Sequence, residues 1–365
     1  MGEAAAQQHG TALDDRIAEA ATLLRASNNA VITGLATDSA GAEAAYALAR
    51  KIGAAVDHVA AAAALRDLEV MREAGWLTTT PLQARAQADL VLLAGPGLLT
   101  AWPDLVERLS LHTPPTLWPE RHRRVVVLCP GGEAPSVPGG ETFDAEPSEL
   151  PALLATLRAL AAGRTVRTDA PHASALRQIA EALAAARYGV VVWSAAGIDT
   201  LTVAMLCGLI DDLNAKTRFA GLKLPADGNA AGVVQAAGWS TGFPVRVGFG
   251  RGAPKHDPWR FDATRMVESG EADVAVWISS LTPRPPPTWR RNLPIIALVA
   301  PDTQFASPAA VTIWVGCPGV DHDAVLYDPN LGALAAKQAT APSPAPTVAD
   351  VLRRIAAAIP QEAAC

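Results

Sequence analysis

Apolar and polar positions along the chain follow two alternating rhythms. Leu13, Ile17, Ala20 and Leu24 recur at the spacing of one helix face, with charged residues between them. A short apolar run, Ala30–Leu35 ("AVITGL"), then reads as a buried strand, and a Gly/Ser-bearing turn leads to a second helix over about Gly41–Ile52. The same order returns at Asp89–Leu93 ("DLVLL") and Val125–Cys129 ("VVVLC"), each followed by a Gly/Pro turn and helix-compatible residues. Strands alternating with helices predict an α/β fold of doubly wound, mostly parallel sheets.

The pattern repeats in the second half. Ala175–Gly197 parallels Ala12–Gly34 in helix, connector, strand and Gly turn, "ADVAVWISS" near Asp273 parallels "ADLVLLAGP" near Asp89, and "LPIIALVAP" parallels "RRVVVLCP". Two α/β lobes follow, by duplication or by the generic rhythm of such chains. Pro130–Ser148 reads as loop, and Ala226–Asp262 as a brief helix followed by a long irregular segment rich in Gly, Pro and aromatics. A Pro/Ala linker precedes a last helix, Val348–Ile359, with Thr347 and Asp350 in a capping-box pattern.

Composition narrows the function. Half of the 365 residues are hydrophobic, enough for a large core, and the net charge of −6 without a basic stripe argues against nucleic-acid binding. The longest uncharged apolar run, Thr303–Val320, is broken by Pro308, Gly316 and Pro318, so no membrane span is expected. The first residues have no signal-peptide pattern, which points to a soluble, cytoplasmic protein. Cys129, Cys207, Cys317 and Cys365 are scattered, as are the seven histidines, so no local metal motif is formed.

Candidate chemistry is sparse. "AGPGLL" (Ala94–Leu99) holds two glycines of a nucleotide-binding turn but lacks the third. Ser194 follows strand Val190–Trp193 in "WSAAG", a placement that suits a nucleophile or an ordinary turn. His256 and Asp257 are adjacent in a Pro-flanked loop, and Arg251, Lys255 and His256 together offer charge to an anionic partner or substrate tail. Trp102, Trp118, Trp259 and Trp289 sit in loop-like, Pro-rich surroundings, as contact anchors or packed under their own loops. "VDHVAAAAALRD" (Val56–Asp67) runs from a short strand-like segment, Ala55–Val59, into five alanines. In an open α/β sheet that turn is where ligands usually bind.

Three segments carry a family resemblance: "TGLATDSAGAEAAYALARKIGAAVDHV", "REAGWLTTTPLQARAQADLVLLAGPGL" and "GNAAGVVQAAGWSTGFPVRVGFGRGAP". They resemble the B subunit of formylmethanofuran dehydrogenase, of the molybdopterin oxidoreductase superfamily, over about Leu13–Ala335. The most specific match is Asn229, Gly232, Gln235, Trp239, Thr241, Gly242, Phe243 and Pro244, expected to be structural. The departures concern the redox equipment. No four-cysteine motif precedes the first helix, so the N-terminal iron–sulfur domain is expected to be missing. The family's metal-ligating turn aligns with Ala63, Ala64, Leu65 and Arg66, and alanine has no donor atom. Three pterin-reading loops align with Gly95–Pro103, with Cys129, Pro130 and Gly131, and with Pro225 and Ala226, where the charged or polar readers are gone.

A B subunit without redox groups resembles the second subunit of the formyltransferase/hydrolase complex of methylotrophic bacteria. The resemblance implies a non-catalytic, cytoplasmic scaffold subunit, a pseudoenzyme, with no molybdopterin, iron–sulfur cluster or other cofactor of its own. It implies partners as well: a formyltransferase subunit, an amidohydrolase-like hydrolase subunit and a third scaffold subunit. Together these convert formyl-tetrahydromethanopterin to formate through formyl-methanofuran or its methylofuran analogue, in formaldehyde oxidation. The rival expectation is a divergent molybdopterin- or tungstopterin-dependent oxidoreductase, with Cys207 or Asp199 as the metal ligand. By the resemblance the lobes are nested. Residues 13–59 and 225–335 form one and 60–224 the other, with a tail at 1–12, a linker at 336–346 and the last helix within 347–365.

Overall fold

A computed structural model describes residues 11–132, 137–167 and 172–360, so most of the expected N-terminal tail and the last five residues lie outside the described part. The chain forms two compact units. The first takes the described residues up to Ala61, Asp227–Tyr327 and those from Leu334 on. The second takes Ala62–Ala226 and Asp328–Ala333.

The chain begins with α1 (Thr11–Ala26), β1 (Ala30–Ala36), α2 (Ser39–Ile52) and β2 (Ala55–Val56). The second unit then follows with α3 (Ala61–Ala74), α4 (Pro81–Gln87), β3 (Leu90–Ala94) and two single turns, α5 (Leu98–Ala101) and α6 (Leu105–Arg108). It continues through β4 (Arg124–Leu128), β5 (Glu141–Phe143), α7 (Leu150–Ala161), α8 (Ala173–Ala185), β6 (Gly189–Trp193), α9 (Thr200–Asn214) and β7 (Phe219–Lys223). Back in the first unit come α10 (Ala230–Thr241), β8 (Val247–Gly248), β9 (Lys255–His256), α11 (Ala263–Glu268) and β10 (Val274–Ser279). β11 (Ile295–Val299), β12 (Val311–Trp314), the paired β13 (Ala324–Asp328) and β14 (Ala333–Lys337), and α12 (Val348–Ala358) complete the fold.

The first unit's sheet has the order β12-β11-β10-β1-β2-β8-β9. Its first five strands are parallel, and β8 and β9 add an antiparallel edge. All seven residues of β1 are buried, because α2 and α11 both pack on this central strand. The second sheet, β5-β4-β3-β6-β7, is parallel throughout. Alternate residues of its strands enter two separate cores. Leu90, Leu92, Val126 and Val191 face α7, α8 and α9, while Val91, Leu93, Val125 and Val190 face the α4–α6 side. The fold is thus mixed α/β with parallel sheets, as the periodicity implies.

Three segments depart from the expectation. β5 lies inside the stretch read as loop, and β8 and β9 inside the one read as irregular. Ala55–Val59 contributes only two strand residues before the chain turns. All of these strands are pieces of two or three residues, too short to show a period.

Candidate functional site

In each parallel sheet the strand order reverses once, and ligands of such folds usually bind beyond the carboxyl ends of the strands at that reversal. In the first unit it lies between β1 and β10. The residues there are polar and buried: Thr37, Asp38, Ser39, Ser279 and Ser280. Several are bonded to one another or to the backbone. Asp38 caps α2 by accepting from Gly41 N at 2.9 Å, and Ser280 Oγ donates to Thr37 Oγ1 at 3.1 Å.

Asn229, first residue of the most specific motif, closes the same site. It stands in the left-handed region (φ 59°) ahead of α10; its Nδ2 donates to Thr37 O at 2.9 Å and its Oδ1 accepts from Tyr327 N at 2.9 Å. Gly232 makes room for it, since a Cβ there would lie 2.5 Å from Asn229 Oδ1. The rest of the motif ends the helix. Thr241 Oγ1 donates to Ala237 O and accepts from Phe243 N, and Gly242 (φ 80°) makes the left-handed C-cap before Pro244. Trp239 donates to Glu43 at 2.9 Å, Phe243 stacks on His256, and Gln235 is exposed.

The end of β2 places two ionisable side chains in the interior, Asp57 and His58, which lie in the quoted "VDHV" stretch but are not among the site residues expected from the sequence. His58 is neutral in its setting: Nδ1 accepts from Ala60 N at 2.9 Å, Nε2 is 3.0 Å from Gly228 O, and burial pushes its pKa down to about 4. Asp57 accepts from Ala263 N at 2.9 Å and lies 3.3 Å from Arg246 Nε. Burial nonetheless outweighs these contacts and pushes its carboxyl up to about 6. The signal that marks them in the sequence is their position, directly after the strand-like AV and ahead of the alanines.

The alanine run begins α3. Ala61 and Ala63 are buried, and Ala63 belongs to the second unit's core. Arg66 donates to Ala195 O at 2.7 Å, and Asp67 accepts from the indole N–H of the fully buried Trp193 at 3.0 Å. The turn aligned with a metal ligand therefore supplies methyl groups and two side chains already engaged with β6 and the turn after it. Pro225 and Ala226 bring neither a side-chain donor nor a charge, and the ring nitrogen of Pro225 carries no N–H.

The second sheet reverses between β3 and β6, where Ala94–Leu99, Cys129–Gly131 and Ser194–Ile198 meet. An anion held there would need free backbone N–H groups. Gly95 N donates to Leu128 O at 3.0 Å, Gly97 N to Pro130 O at 2.9 Å and Gly197 N to Ser194 O at 3.3 Å. A Cβ on Gly131 would come within 2.9 Å of Pro96, and one on Gly95 within 3.0 Å of Ile198. Three N–H groups of the turn are thus already bonded, Gly95 and Gly131 are crowded by apolar neighbours, and none of the three loops carries a charged side chain to hold a pterin dinucleotide.

The other candidates resolve as follows. Ser194 Oγ accepts from Ala196 N at 3.4 Å within its turn. Asp257 accepts from the N–H groups of Trp259 and Arg260, while His256 Nδ1 is 3.1 Å from Arg246 O, so the two do not form an acid–base pair. Cys207 is buried on α9 with its thiol pushed up to about 12, and Asp199 is that helix's N-cap, accepting from Thr202 N at 2.8 Å. Cys129, also buried, has its thiol pushed up to about 11. Among the described residues no three His, Cys, Asp or Glu side chains group to hold a metal ion, and no helix is long and apolar enough to cross a membrane. Trp102, Trp118 and Trp289 are half-buried, whereas Trp259 is 71% exposed.

No family model matches the chain. It is 36% identical over 352 residues, 94% of each chain, to the B subunit of the formyltransferase/hydrolase complex Fhc of Methylorubrum extorquens. It is 24% identical over 296 residues to the B subunit of tungsten-containing formylmethanofuran dehydrogenase 2 of Methanocaldococcus jannaschii, covering 77% of this chain and 67% of that one. Its fold matches a chain in the crystal structure of the formyltransferase/hydrolase complex FhcABCD of M. extorquens with methylofuran, at a TM-score of 0.86 and 34% identity over 96% of both chains. The chain therefore belongs to the family of Fhc B subunits of formyltransferase/hydrolase complexes.

Proposed function

We propose that this chain is a non-catalytic scaffold subunit of a cytoplasmic formyltransferase/hydrolase complex. Its partners are a formyltransferase subunit, a hydrolase subunit and a third scaffold subunit. In this reading the partners move the formyl group from formyl-tetrahydromethanopterin to methanofuran or methylofuran and then hydrolyse the formyl amide to formate. The two compact units correspond to the nested lobes of a molybdopterin oxidoreductase, with the change of lobe near Val59 and Pro225. Asn229, Gly232 and Thr241–Pro244 serve to hold α10 in place.

One observation carries the proposal. Three backbone N–H groups at the second sheet's reversal, those of Gly95, Gly97 and Gly197, are bonded to Leu128 O, Pro130 O and Ser194 O, no charged side chain stands in its three loops, and Ala63 and Ala64 stand where the related dehydrogenases are expected to present a metal ligand. Side chains without donor atoms and N–H groups already bonded cannot hold a metal–pterin group. The fold is kept and its open sites are packed, which suits a subunit selected for shape.

The test is to co-express the chain with the other subunits, purify the assembly, and quantify tungsten, molybdenum and released pterin in this chain after separation. The expected result is co-purification with only trace metal. A stoichiometric tungsten or molybdenum centre in this polypeptide would overturn the proposal.

A further inference from the structure

The end of the first unit's sheet away from Asn229 and His58 carries a different kind of surface. A cleft of about 180 Å³ opens where β1, β2 and β10 begin, with Gly53, Gly250, Arg251, Lys255, Arg260 and Glu271 on its walls. Gly53 and Gly250 leave it open: a Cβ on Gly53 would meet only Gly250, at 3.7 Å, and one on Gly250 only Gly53 O.

Three cations face this cleft, and the carboxylates around them are occupied. Glu271 is held by Arg265, through Nη1 at 2.6 Å and Nη2 at 2.8 Å. Asp257 is turned onto the N–H groups of Trp259 and Arg260, and Asp262 caps α11 and pairs with Arg246. Arg251, Lys255 and Arg260 make no ion pair with a described carboxylate. In a chain with net charge −6, three cations on one cleft, none of them in a direct ion pair, are a local concentration of positive charge that an acidic partner could meet.

Next to Arg260 in the chain stands Trp259, the most exposed large apolar side chain among the described residues, at 71%. It is also held in place. The Arg265 guanidinium lies 4.4 Å from its ring centroid, and that guanidinium is anchored to Glu271 and to the carbonyls of Trp259 and Arg260. An immobilised, solvent-facing Trp flanked by arginines is the composition of an interface hot spot. Pro254 and Pro258 bracket the edge strand β9, which denies an incoming strand a regular ladder, so recognition here falls to side chains.

We infer that Arg251, Lys255, Trp259 and Arg260 form a docking surface for an acidic segment of a partner subunit, whose carboxylates enter the cleft while an apolar group covers Trp259. The inference rests on the scaffold reading above. It places one of that scaffold's interfaces on the face opposite the closed strand ends.

The test compares wild-type chain with R251E/K255E/R260E and W259A in assembly with the remaining subunits, with unfolding curves to show that both variants fold. Charge reversal is expected to raise the assembly Kd by about 100-fold or more and to flatten its salt dependence, and W259A by about 10-fold or more. A carbodiimide should join Lys255 Nζ to a partner Asp or Glu as an amide, with loss of water. Unchanged Kd and salt dependence in the folded charge-reversal variant, or no such cross-link in the wild-type assembly, would overturn the inference. So would saturable binding of inorganic phosphate by the isolated chain that the reversal abolishes while assembly is intact, because the cleft would then be a small-anion site. If wild-type chain itself joins no partner subunit, the scaffold reading fails first and takes this inference with it.

Discussion

Asp57 and His58 are neighbours in sequence and opposites in their response to acid. For His58 the folded pKa, about 4, lies below the ordinary value of 6.5. As pH falls through this window the unfolded chain binds a proton that the folded chain refuses, and stability is lost. For Asp57 the folded pKa, about 6, lies above 3.8. Over nearly the same window the folded chain binds a proton that the unfolded chain does not, and stability is gained on acidification. At ~1.36 kcal/mol per unit of pKa difference, each contribution is about 3 kcal/mol, so the two nearly cancel. D57N should therefore lose about 3 kcal/mol relative to wild type on going from about pH 6.5 to 4, and H58N should gain a similar amount. Urea unfolding across that range measures both differences. Parallel profiles for wild type and D57N would show that the pair does not act this way.

At the scale of elements, Asn229 and Gly232 fix how α10 joins the sheet. G232A should cost about 1–3 kcal/mol, because its Cβ would press on the Asn229 amide. N229A should cost about 1–3 kcal/mol, since it removes the hydrogen bonds to Thr37 O and from Tyr327 N. In the N229A background the same glycine change should be neutral or stabilising by up to ~1 kcal/mol, since the obstruction is gone and alanine favours a helix. Additive costs in the double-mutant cycle would contradict this account. The elements most visible in the sequence were those with a full apolar period: β1, β3, β4, β6, β10 and β11. The Thr347 cap was visible too, and its side chain accepts from Asp350 N at 3.0 Å. β5, with its exposed Glu and Thr, and the two-residue β8 and β9 carry no period, and the pairing of β5 and β8 depends on residues elsewhere in the chain. The site showed the same division. Alanines without donors could be recognised as such from sequence, whereas the partners of Gly95 N and Gly97 N exist only once β4 and the turn after it lie beside β3.

For the molecule as a whole, the strand ends packed around Asn229 and the exposed Trp259 face lie at opposite ends of the first unit's sheet, an arrangement in keeping with the scaffold role proposed above. The nested chain path has its own result. The Ser27–Asn29 turn leading into β1 is tied to Asp273, a residue 245 positions later than Asn28, and every residue of β1 is buried in the finished sheet. At ~5–20 residues per second, a ribosome needs roughly 12–50 s to deliver β10 after the start of β1 has emerged. During that interval the inserted second unit can complete its own parallel sheet, while "AVITGLA" waits without its central neighbour. Nascent chains stalled before residue 274 should accordingly resist protease over the second unit and be cut in the first 60 residues. Pulse proteolysis of stalled chains would show this, and early protection of β1 would refute it. An unpaired apolar strand held open for tens of seconds is a natural substrate for a general chaperone, so soluble yield should depend on chaperone supply more than on the stability of the folded protein.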